Sequence, residues 1–152
     1  MSDHLIEIKD LKVHFPIKGG VFLREVGKVH AVDGVSLSIK SGETLGLVGE
    51  SGCGKSTLGK ALLQLIKSTA GSVKYKEEEL TTAGKSVMRQ HRKNLQVIFQ
   101  DPSESLNSRH TVEQILAEPF EIHKIGSKRE RKEQILSLLK KVGLPADSMS
   151  KY

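Results

Sequence analysis

One cysteine, no tryptophan and an aromatic content of only 4% limit what this 152-residue chain can be. Cys53 alone can form neither an internal disulfide nor a cysteine metal cluster, which agrees with a reducing compartment. Scarce aromatics leave few platforms for base stacking, so the net charge of +6 is a weak argument for nucleic acid. The densest basic run, Lys128-Arg129-Glu130-Arg131-Lys132-Glu133, interleaves acids and reads as a solvated helix face. No stretch approaches the ~20 apolar residues of a membrane span, and Met1-Ser2-Asp3-His4 lacks the layout of a secretory signal. A cytosolic chain that binds no nucleic acid is expected. The six histidines, His4, His14, His30, His91, His110 and His123, show no ligand spacing, so no metal site is assigned to them.

Periodicity divides the chain. Leu5 to Phe15 alternates loosely and predicts a strand, broken near Lys9-Asp10 and stopped by Pro16. Val35 to Lys40 alternates strictly and predicts another, with a mobile glycine loop over Lys18–Gly27 between them. Thr44-Leu45-Gly46-Leu47-Val48 is uncharged, as expected of a strand buried on both faces of a parallel sheet, and Leu95–Phe99 reads alike. Leu58, Ala61, Leu62, Leu65 and Ile66 recur at helical spacing up to Ala70-Gly71. Two capping boxes, Thr111 with Gln114 and Ser127 with Glu130, open two further helices. The second would bury Ile135, Leu138, Leu139 and Val142 and end at Gly143, with Pro145 beyond.

The chemistry lies in Gly49-Glu50-Ser51-Gly52-Cys53-Gly54-Lys55-Ser56-Thr57, which fits glycine, four residues, then glycine-lysine-serine, between a predicted strand and helix. Backbone N–H groups can ring a phosphate only where Cβ atoms do not crowd the concavity, hence Gly49, Gly52 and Gly54. The helix start beyond favours an anion, and Lys55 adds a full charge for the β/γ-phosphates. The Ser56 hydroxyl suits Mg²⁺, and Thr57 can donate to the α-phosphate side. The same helix terminus would favour a reactive thiolate at Cys53, against the plainer role of loop filler.

With Ala31-Val32-Asp33-Gly34-Val35-Ser36 before it, this stretch resembles the ATP-binding subunit of an ABC transporter. Val97-Ile98-Phe99-Gln100-Asp101-Pro102, then Ser105-Leu106-Asn107-Ser108-Arg109, Glu118-Pro119, Val142-Gly143-Leu144-Pro145 and Lys151-Tyr152, is similar to the oligopeptide and dipeptide importer ATPases. The resemblance covers nearly the whole chain. It implies an α/β P-loop core with an N-terminal antiparallel β portion, a C-terminal helical portion and an incomplete sheet. Residues 1–110 would form the β-rich and phosphate-loop part, and 111–152 the start of a helical subdomain.

The resemblance also implies roles. ATP and Mg²⁺ are the cofactors, and Gln100 is the switch glutamine beside Mg²⁺ and the attacking water. Ser103 to Phe120 meets the membrane partner. Transmembrane permease subunits and a second ATP-binding subunit are the partners, at the inner face of the cell membrane. Three departures qualify it. The position expected to stack on adenine falls near Val26, leaving Phe22 or His30 as substitutes. Lys76-Glu77-Glu78-Glu79, Ser103-Glu104 and Ser108 alter other family stretches. The signature, the Walker B carboxylates and the switch histidine do not occur in these residues, so a chain truncated before them, without turnover of its own, is expected. Two alternatives stand beside this: a fragment that does not bind nucleotide stably, and a different P-loop enzyme such as a kinase or GTPase, though no Asn-Lys-x-Asp guanine reader occurs.

Overall fold

The computed structural model describes residues 4–102 and 105–152, so the departure at Ser103-Glu104 lies outside the described residues. Two compact units divide between Gln96 and Val97. In the first, β1 (His4–Gly19) and β2 (Arg24–Lys40) form a long antiparallel hairpin, followed by α1 (Lys55–Leu62), β3 (Ala70–Tyr75), β4 (Glu78–Glu79) and α2 (Lys85–His91). The sheet is antiparallel throughout, in the order β2-β1-β3-β4.

The expected break at Lys9-Asp10 is present. Asp10 has φ of 43°, and the β1–β2 register shifts between Ile8 and Leu11. Pro16 does not stop the strand. It pairs opposite Lys28, and pairing continues to Gly19 opposite Arg24, so the region expected to be a mobile loop is ladder closed by a turn in which the Leu23 N–H donates to Gly20 O at 3.1 Å. Ile17, Val26 and Val29 favour the extended backbone on the two sides, and Gly20, at φ 73°, serves the turn, while Gly19 and Gly27 lie in the ladder.

One face of the sheet is core. Ile8, Leu11, Val13, Val32, Val73 and Tyr75 pack with Leu58 and Ala61 of α1 and with Leu80 and Leu95. α1 ends earlier than the apolar spacing suggests, because Gln64 turns left-handed at φ 53°. Arg92 Nη1 then donates to Leu63 O at 2.6 Å, so a charged group satisfies a carbonyl the helix leaves open.

Two expected strands do not form. Thr44–Val48 and Leu95–Phe99 belong to no ladder, and Val48 and Ile98 are 92% and 89% exposed. A doubly buried strand exists only where neighbours bond to its edges and layers cover its faces, and no neighbouring strand is present for either segment among the described residues.

The second unit is helical. α3 (Val112–Ile122) and α4 (Lys128–Lys141) each open on a complete capping box, Thr111 with Gln114 and Ser127 with Glu130. Ile135 and Leu139 pack with Met149 of a short 3-10 helix (Ala146–Ser150) and with Leu116 and Phe120. Leu138 and Val142, expected inside, are exposed, since the apolar stripe of α4 is narrower than its leucine count implies. Gly143 takes φ 75° just past the helix, as its place before Pro145 predicts.

Candidate functional site

The phosphate-loop residues come together where α1 begins. Gly54 is the residue before the helix, at φ 94°, and gives α1 no side-chain cap; the first turn holds no acid. By contrast, α3 and α4 satisfy their first N–H groups through capping boxes with Gln114 and Glu130. The opening N–H groups of α1 are therefore left without a side-chain acceptor, with the positive end of the helix dipole at the loop. Gly54 is needed for a closer reason than the phosphate: a Cβ there would overlap the backbone carbonyl oxygen of Ala31 on β2. The loop thus rests on the hairpin. A Cβ on Gly49 would in turn lie 2.8 Å from the sulfur of Cys53.

Lys55 reaches back across the loop. Its Nζ donates to Gly49 O at 2.8 Å and to Glu50 O at 2.5 Å, and stands 3.5 Å from Cys53 Sγ. This cation beside uncapped helix N–H groups is a cradle whose charge and donor set fit a polyphosphate. Ser56 is exposed and Thr57 half-buried, both in the first turn of α1. Cys53 is exposed. Gln100 is an exposed residue in a bend of the second unit, whereas Gly49 to Thr57 all belong to the first.

Phe15 was not singled out by its sequence position, yet side chains alternate along a strand, so it shares the face of Val13, which packs toward α1. It pairs opposite Val29 and is 41% exposed. Phe22 lies in the hairpin turn, 82% exposed, with the Arg24 guanidinium 5.8 Å from its ring centre. His30 is committed elsewhere: its ring stacks on His14 at 4.0 Å, and both rings contact the Asp33 carboxylate. Hydrogen bonds from His30, then His14, hold the Asp33 carboxyl below its ordinary pKa. The only sequence signal for this trio is hairpin register, which stays hidden until the turn is placed.

The chain belongs to the ABC transporter family, whose profile matches residues 32–152. It is 47% identical to the oligopeptide transport ATP-binding protein AppF of Bacillus subtilis, over 99% of this chain and 46% of that protein. It is 43% identical to the dipeptide transport ATP-binding protein DppF of Escherichia coli, over 100% of this chain and 45% of that one. The chain thus spans less than half the length of these curated relatives. Among solved structures, the dimeric ATP-binding cassette MJ0796 bound to ADP and Pi superposes with a TM-score of 0.75 over 96% of this chain and 60% of its own, at 24% identity, and supports the fold. No helix among the described residues is long and apolar enough to cross a membrane.

Proposed function

We propose that this chain binds ATP with Mg²⁺ through Gly49–Thr57, as the nucleotide-holding portion of a peptide-type importer ATPase. The observation that carries this reading is the uncapped start of α1 beside Lys55, on a loop held against Ala31. The opening N–H groups of α1 and the Lys55 ammonium would hold the β/γ-phosphates, Ser56 would offer its hydroxyl to Mg²⁺, and Thr57 would serve the α-phosphate side. Phe15, rather than Phe22 or His30, is the better adenine platform, because it is half-exposed on the α1 face of the hairpin. ATP when bound supplies the phosphoanhydride whose cleavage drives transport in this family.

Gln100 would sense the Mg²⁺ and water region, its single amide able to donate and to accept. Hydrolysis needs a carboxylate to orient water, and no Walker B acid occurs in these residues, so the 152-residue chain alone is expected to bind without turnover. In the whole protein the partners would be transmembrane permease subunits and a second ATP-binding subunit, at the cytoplasmic face of the cell membrane, with peptides as cargo.

Titrating the chain with a fluorescent ATP analogue plus Mg²⁺, beside Lys55→Ala, tests this, with phosphate release read in the same tube. Saturable binding lost in Lys55→Ala, without release, is expected; binding indifferent to Lys55 would overturn it. A second reading, that the chain holds no nucleotide stably, is favoured by one observation: Thr44–Val48, which leads into the loop, is exposed and outside any ladder. A folded chain that shows no binding would establish that second reading.

A further inference from the structure

Three metal-ligand side chains converge on the β1–β2 hairpin, on the sheet face opposite Val13. Val13 pairs with Val32 whereas His14 pairs with His30, so Ala31 is an extra residue on β2. A bulge of this kind re-aims side chains, and here it brings His30 and Asp33 to the face of His14. Nε2 of His14 lies 3.1 Å from Oδ1 of Asp33, and Nδ1 of His30 lies 3.3 Å from Oδ2. One ligand atom from each of the three residues falls within 4.8 Å of the others.

Two imidazoles and a carboxylate form a borderline donor set, suited to zinc and its neighbours rather than to magnesium or calcium. A tetrahedral centre with bonds of about 2.0–2.1 Å holds its donors about 3.3 Å apart. The two histidines reach different oxygens of Asp33, at 3.1 Å and 3.3 Å, and their rings are stacked 4.0 Å apart, so capture of one ion requires the rings to turn until both nitrogens face it. His14 exposes 15% of its side chain and anchors the trio, while His30 and Asp33 expose 53% each and leave room for an ion and a water to enter.

We propose that His14, His30 and Asp33 form a binding site for a zinc-class divalent cation, three protein ligands with a fourth position open to solvent. It is separate from the nucleotide's Mg²⁺, which calls for oxygen donors at the phosphate loop.

The test uses the 152-residue chain without nucleotide, since phosphates chelate metals. ZnCl₂ is titrated against a chromophoric chelator, with CoCl₂ in parallel for its visible absorption. One equivalent of zinc should bind, unaffected by excess Mg²⁺, and Co²⁺ should give the intense bands of a four-coordinate nitrogen–oxygen site. His30→Ala and Asp33→Asn, both at half-exposed positions, should each weaken zinc by about tenfold or more and abolish the cobalt bands. Zinc binding unchanged in both variants, or no stoichiometric binding by the parent chain, would overturn the proposal. Independently of any variant, zinc should shift the ring-nitrogen NMR signals of two histidines among the six. Shifts confined to other histidines would also overturn it.

Discussion

Replacing Gly54 with alanine tests the packing that holds the phosphate loop, and the structure supplies the magnitude. At φ 94° an L-residue is strained by about 1–2 kcal/mol. The added Cβ also meets the Ala31 carbonyl oxygen, a backbone atom that cannot step aside by changing rotamer, so loop and hairpin must separate. Strain and lost contact together come to roughly 2–4 kcal/mol. With a urea slope of about 1–3 kcal/mol per molar, the unfolding midpoint should fall by about 1–2 M. Gly59→Ala is the matched control: Gly59 lies inside α1, a Cβ there meets nothing, and the change should stabilise by about 0.5–1 kcal/mol. Urea titrations followed by far-UV circular dichroism read both. A Gly54→Ala chain that unfolds at or above the parent midpoint would refute the reasoning.

Three more outcomes follow from other parts of the molecule. Leu11→Ala, at a fully buried position, should cost about 2–5 kcal/mol in the same assay; a cost under about 1 kcal/mol would mean the sheet face is not the core. The Glu130 carboxyl is held below its ordinary value of 4.5 by hydrogen bonds to Ser127, so its contribution to α4 is present above that value and is lost as pH falls through the lower folded one. Between about pH 5 and pH 2 the parent should lose stability more steeply than Glu130→Gln; identical pH profiles would exclude the linkage. ATP with Mg²⁺ should slow alkylation of Cys53 by occupying the concavity beside Lys55, and an unchanged rate in a chain that demonstrably binds ATP would place the nucleotide elsewhere.

What could be read from the sequence was local. Each capping box needs only residues three apart, and both formed as spaced. The glycine loop is local in the same sense, its pattern lying within nine consecutive residues, Gly49 to Thr57. Strands depend on partners far along the chain, which local pattern does not name. Thr44–Val48 has the composition of a buried strand, yet composition cannot provide the neighbours that bury it. β3 alternates only over Ser72-Val73-Lys74-Tyr75, too short a run to name its partner, and it forms because β1 offers an edge, pairing Ile8 with Val73. The glycine-rich stretch after Lys18 looks like a loop until Val26 and Val29 are placed in the ladder's reach.

The candidate site divides the same way. Lys55, Ser56 and Thr57 were legible as a motif, whereas the contact between Gly54 and Ala31 joins residues 23 positions apart and needs the fold. His14 and His30, scattered when counted along the chain, face each other only because the hairpin turn falls at Gly20–Leu23. Phe15 needed the same register to be seen on the α1 face.

The measurement that bears most directly on the central claim is a backbone-amide NMR titration of the chain with ATP and Mg²⁺. The account predicts that the amide signals of Gly52, Gly54, Lys55, Ser56 and Thr57 move saturably and together, and that they do not move in Lys55→Ala. Signals of that loop that stay fixed while amides elsewhere shift would contradict it.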